Sequence, residues 1–156
     1  MVMQMSDIIK ITNDKERARA LYEIVAETLE ELEDIKKAKP HRKIKEYYEL
    51  IIQLITGIMY SDGFKTLSHL GLIDYLKKEY EEFSESEIKI IDSLRKLRHG
   101  IIYYGRKSGE EFLINNEEEI ISIINKIKNE SPTAPLRLRF TASCGVSKKT
   151  RIISFD

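Results

Sequence analysis

Between Ile44 and Ile58 the apolar residues return every three or four positions, at Ile44, Tyr47, Tyr48, Ile51, Leu54, Ile55 and Ile58. At about 100° per residue this spacing gathers them on one helical face, which a strand of period two cannot do. The same period recurs as far as residue 130. Helix breakers are few, with seven glycines and three prolines in 156 residues. A chain of this length makes one domain, and the pattern makes it all-α.

The punctuation sets the helix limits. A first helix opens at Asn13 or Asp14, both good N-caps, carries Leu21, Val25, Thr28, Leu32 and Ile35, and stops before Pro40. A second runs from about His41 to Tyr60 and ends at Ser61-Asp62-Gly63. A third spans Thr66 or Ser68 to about Tyr80, burying Leu70, Ile73, Leu76 and Tyr80. Ser84 with Glu87 reads as a capping box for a fourth helix, which ends at Gly105. Asn115 or Asn116 caps the last, with Glu117, Glu118 and Glu119 in its first turn and Ile120, Ile123, Ile124 and Ile127 buried. Short connections between four or five such helices predict an antiparallel bundle over residues 1–130.

Composition changes after Glu130. Residues 131–156 hold two prolines, five basic residues and one acid, with alternation in Leu136-Arg137-Leu138-Arg139-Phe140 and Arg151-Ile152-Ile153-Ser154-Phe155. This is read as a short extended or β-hairpin-like tail, or as an expression-derived or frame-altered appendage.

Lysine plus arginine and aspartate plus glutamate both total 26, so the formal net charge is zero. A strongly basic nucleic-acid coat and an acidic mimic are both excluded, while a local patch is not. The single cysteine, Cys144, has no internal partner and points to a reducing, cytoplasmic setting. No run reaches the roughly 18 apolar residues of a membrane span, and none near Met1 resembles a signal peptide. Phosphate-loop and Gly-x-Ser-x-Gly motifs are absent, and His41, His69 and His99 are scattered without zinc spacing, so neither metal nor cofactor is expected. His69 is read as a structural histidine, and Tyr47 and Tyr48 as packing residues.

One arginine breaks the apolar pattern. In the fourth helix Leu97, Ile90, Ile101, Leu94, Ile91 and Ile102 share an arc, and Arg98 falls inside it, between Leu94 and Ile91. An arginine cannot shed its charge, so it needs an anionic partner, a route to solvent along its stem, or a function. Around it lies a positive field of Lys89, Arg95, Lys96, Arg106 and Lys107, opposed locally by Asp92. By helical angle Tyr104 belongs in the core beside Leu97, and Tyr103 lies outward near His99. Arg95, Lys96, Arg106 and Lys107 are candidate RNA phosphate contacts, with the tyrosines as stacking rings.

The segment Arg98-His99-Gly100-Ile101-Ile102-Tyr103 resembles the signature of the HEPN family: arginine, a polar residue, three variable positions, then histidine. The lead-in Gly63-Phe64-Lys65-Thr66-Leu67-Ser68-His69 and Ile73-Asp74-Tyr75-Leu76 is similar to archaeal members, over roughly Lys39 to Asn129. Tyr103 stands where the family has its histidine. The resemblance implies a homodimer whose motif helices face each other, and metal-independent attack of a ribose 2′-OH on the adjacent phosphate. Arg98, His99 and Tyr103 are then the candidate catalytic residues: Arg98 to hold phosphate oxygens and His99 to move protons in place of the missing histidine. Tyr103 is a poorer base, since its proton leaves near pH 10. It further implies a toxin component with a nucleotidyltransferase-type antitoxin. The alternative is a non-catalytic dimeric helical module acting through such a partner, with Ile88, Ile91 and Ile102 extending the dimer face.

Overall fold

The computed structural model describes residues 7–131, arranged as β1 (Ile9–Lys10), α1 (Lys15–Glu30), α2 (Leu32–Lys36), α3 (Pro40–Asp62), β2 (Phe64–Lys65), α4 (His69–Glu79), α5 (Glu85–Tyr104) and α6 (Glu110–Glu130). The fold is the expected all-α bundle with a small antiparallel two-stranded clasp added. Of the predicted tail, residues 131–156, all but Ser131, which caps the end of α6, lies outside the described residues, as does Cys144.

Helix α3 is the axis. Helices α1, α2, α4, α5 and α6 all pack on it, and Ile44, Tyr47, Tyr48, Ile51, Leu54 and Ile55 are each at most 1% exposed. Pro40 sits in its first turn, where the missing N–H costs nothing. Tyr47 brings a hydroxyl into this core and satisfies it by donating to the Glu117 carboxylate at 2.6 Å, which also accepts from Lys43 Nζ at 3.0 Å. Such a buried group demands a partner, and the three residues tie α3 to α6.

The first predicted helix is broken in two. Glu31 leaves the helical path (φ −93°, ψ 11°), and α2 restarts at Leu32. Glu27 and Glu31, like Glu30 and Asp34, are like charges four apart that weaken a straight helix there, and the bend brings Ile35 into the core. The buried face of α1 is Ala18, Tyr22 and Val25 rather than one centred on Leu21 and Thr28, because Tyr22 packs against Gly57 of α3. In α4, Leu70 is exposed, and Leu72 and Tyr75 join Ile73 and Leu76 inside. The last helix begins earlier than expected, at Glu110. Its cap is Gly109 at φ 109°, with Glu110 and Glu111 in the first turn, and Asn116 lies inside the helix, donating to Phe112 O.

The unforeseen clasp closes the base of α3. Ile9 pairs with Lys65 and Lys10 with Phe64, and Ile11 N–H donates to Gly63 O at 2.8 Å. Asp7 accepts from Thr66 Oγ1 (2.7 Å) and Ser68 Oγ (2.8 Å), which hold its carboxyl below the usual range. Ser68 in turn caps α4 through Gly71 N–H.

Candidate functional site

Helix α5 is positioned by its ends. Ser84 Oγ accepts from Glu87 N–H at 3.1 Å, as a capping residue does. The Glu87 carboxylate, expected to turn back onto the cap, instead accepts from Lys126 Nζ of α6 at 3.0 and 3.1 Å. Burial then fades along the helix. Ile91 and Leu94 are wholly buried, Leu97 and Ile101 are partly covered, and Ile102 is 46% exposed. Ile88 and Ile91 belong to the chain's own core, so of the three isoleucines expected on a dimer face, Ile102 alone is open to solvent.

Arg98 stands where that burial runs out. It is half-buried, and its guanidinium carbon lies 5.6 Å from the centre of the Tyr48 ring, within cation–π range. It makes no ion pair with a carboxylate among the described residues. The neighbouring cations do: Asp92 accepts from Arg95 Nε at 2.8 Å and lies 3.1 Å from Lys96 Nζ. Partial burial works against the Asp92 charge, but the hydrogen bonds from Arg95 and Lys96 win and hold its carboxyl below the usual range. Arg95 and Lys96 therefore share one carboxylate within their own helix, and Arg98 has none.

Two residues read from sequence as structural complete the surroundings. The Tyr48 hydroxyl lies 2.9 Å from Nδ1 of His69, the first residue of α4, and the rings are tilted with centroids 5.6 Å apart. Tyr48 is fully buried. Burial pushes its phenol well above the ordinary range, outweighing the pull of Arg98 and Arg95. His69 is pushed the other way, first by desolvation of its inner side and then by the positive fields of Arg98 and Arg95, with Glu49 opposing. The cue available in sequence was a hydroxyl on an otherwise apolar face, which needs a partner once buried.

The remaining candidates form a separate ledge at the end of α5. His99 is exposed, with its ring 4.6 Å from that of Tyr103 and 5.9 Å from that of Tyr104. Tyr104 is not in the core beside Leu97. Both tyrosines are 66% exposed, because the last turn of α5 extends past the elements that cover the rest of the helix. Arg106 lies over the Tyr104 ring at 4.9 Å, and Lys107 is exposed beyond it. Arg98 with Tyr48 and His69, and His99 with Tyr103, Tyr104 and Arg106, are thus two clusters that diverge from adjacent residues of α5.

Among the described residues no group of histidine, cysteine, aspartate and glutamate could hold a metal ion, and no helix is long and apolar enough to cross a membrane. An open depression of about 430 Å³, lined by Lys36, Leu113, Asn115, Glu117, Glu118 and their neighbours, includes none of the candidate residues. Comparison of the chain with protein-family models, with curated proteins and with solved structures gives no match.

Proposed function

We propose that this protein binds single-stranded RNA, gripping a backbone phosphate with Arg98 and stacking bases on the ledge of His99, Tyr103 and Tyr104. The observation that carries the reading is the uncompensated Arg98. Its guanidinium is half-buried over Tyr48, while the adjacent Arg95 and Lys96 share Asp92. A planar fork held on an aromatic face is pre-oriented for the two oxygens of a phosphate. Exposed rings beside it suit unpaired bases, each worth about 1–3 kcal/mol of stacking. Arg106 and Lys107 extend the positive surface along the strand.

The test is fluorescence anisotropy with a short labelled single-stranded RNA. Wild-type protein should bind with a marked salt dependence, and Arg98→Ala should weaken binding about tenfold and flatten the slope of log K against log salt by about 1. Equal affinity of the two proteins would sink the reading.

Metal-independent cleavage is a second reading, favoured by the two histidines that flank Arg98, His69 across Tyr48 and His99 next in the chain. Attack by a 2′-OH needs a base near neutrality, and Tyr48, with its raised phenol, is excluded from that role. Incubation of labelled RNA with excess chelator tests it: fragments ending in 2′,3′-cyclic phosphate, lost in Arg98→Ala, are the expected products.

A further inference from the structure

We infer that His69 is a second phosphate-binding residue of this site, donating through Nε2–H to the anion that Arg98 grips, with Tyr48 fixing the ring tautomer that puts the proton there. The inference rests on the RNA-binding reading and extends it to a residue on a different helix, outside the α5 segment.

Tyr48 supplies the first link. Its hydroxyl is enclosed by the core, and its hydrogen-bonding partner among the described residues is His69 Nδ1 at 2.9 Å. A phenol that burial keeps protonated has a hydrogen to donate, and Nδ1 is where it goes. A neutral imidazole has one N–H. With Nδ1 accepting, that N–H is on Nε2, across the ring and turned away from Tyr48.

The charge state follows from the neighbours. Partial desolvation disfavours the imidazolium most, Arg98 and Arg95 on α5 add to it, and Glu49 on α3 opposes them. His69 is therefore a neutral donor near pH 7. Placing a second cation beside Arg98 would cost repulsion in the empty site, whereas an uncharged N–H adds a bond to the anion without it. The Tyr48 ring is common to both groups, with the Arg98 guanidinium over its face and the His69 ring against its hydroxyl end. Two donors from separate helices fix the orientation of a tetrahedral phosphate in a way one guanidinium cannot.

Single-stranded RNA binding at pH 8 across a salt series tests this, using R98A, H69A, H69Q and Y48F. His69→Ala should weaken binding about three- to tenfold, as loss of one hydrogen bond does, with the salt slope unchanged because no charge is removed. His69→Gln, which keeps an N–H donor, should recover much of that loss, and Tyr48→Phe should fall between. A loss in H69A that lowers the salt slope as R98A does would show a cationic histidine and overturn the neutral-donor assignment. Unchanged affinity in H69A beside a weakened R98A would overturn the inference and leave the RNA-binding reading standing. Unchanged affinity in both would remove the reading itself. Because His69 is the first residue of α4, the wild-type ring is also read directly by 15N NMR. Nδ1 should be the unprotonated nitrogen and Nε2 the protonated one, and inorganic phosphate should shift Nε2. The opposite tautomer, or no response to phosphate, overturns the inference.

Discussion

The Tyr48 hydroxyl and His69 Nδ1, 2.9 Å apart, join the buried face of α3 to the first residue of α4. Stability should depend on pH through His69, whose desolvation, reinforced by the fields of Arg98 and Arg95 against Glu49, disfavours its charged form. The folded state holds the pKa of His69 below its ordinary 6.5, so the unfolded chain binds a proton first as pH falls. Stability is then full above about pH 6.5, drops as pH falls toward the folded pKa, and levels off below it. Thermal melts at pH 8 and pH 5.5 should show this step, and His69→Gln should shrink it. An identical step in both proteins would mean that His69 makes no contribution.

Arg98→Ala should leave the fold intact. With no carboxylate partner among the described residues, truncation strands no buried charge. The loss is the cation–π contact, about 0.5–1 kcal/mol, plus packing of the stem, or a few degrees in melting temperature. A loss of about 3–5 kcal/mol, the signature of a broken buried ion pair, would contradict the geometry around Tyr48.

Asp92→Asn should release two cations. Arg95 and Lys96 both lie on this carboxylate, so neutralising it should tighten RNA binding and steepen its salt dependence. The helix should lose only about 0.3–0.5 kcal/mol per pair. Weaker RNA binding, with the protein folded, would show that Asp92 orients the arginine rather than neutralising it.

Gly57→Ala probes the seam between α1 and α3. A Cβ at this position would stand 2.6 Å from Tyr22 Cε1. Alanine gains about 1 kcal/mol of helix propensity over glycine, but overpacking costs about 1–3 kcal/mol, and Tyr22 has little room to yield. The urea midpoint should fall. An unchanged or higher midpoint would show that the ring can move aside.

Tyr47→Phe removes the hydroxyl that Glu117 accepts at 2.6 Å and leaves that carboxylate held by Lys43 alone. A hydrogen bond to a charged group is worth about 1.5–3 kcal/mol, and chemical denaturation should find a loss of this size. No loss would mean that Lys43 and solvent satisfy Glu117 unaided.

How much of this was legible in the sequence differs from element to element. Helices α3 and α5 were bounded almost to the residue because Pro40, Gly63, Ser84 and Gly105 mark their ends with backbone chemistry. The start of α6 was misplaced because a glycine cap has no side chain to advertise it, while Asn115-Asn116 looks like a cap. The clasp was invisible, since two residues are too few for any period. Arg98 stood out because its neighbours on the arc are aliphatic. The Tyr48–His69 contact did not, because each residue fits its own helix and only tertiary packing brings them together. Tyr104 shows the limit of angle-based reasoning: a helical wheel assigns a face, but not whether a neighbouring element reaches that far along the axis.

The clasp between β1 and β2 also has a consequence for local opening. Asp7 holds Thr66 and Ser68, and Ser68 caps the helix that begins with His69. Opening the first strand should therefore take the Asp7 acceptor away from Ser68 and loosen the start of the helix that carries His69. The amides of Lys10 and Ile11 and those in the first turn of α4 should then exchange with solvent together, below the free energy at which α3 unfolds. If the proposed phosphate site is right, residues near the start of the chain would then govern how long His69 and Arg98 stay in register.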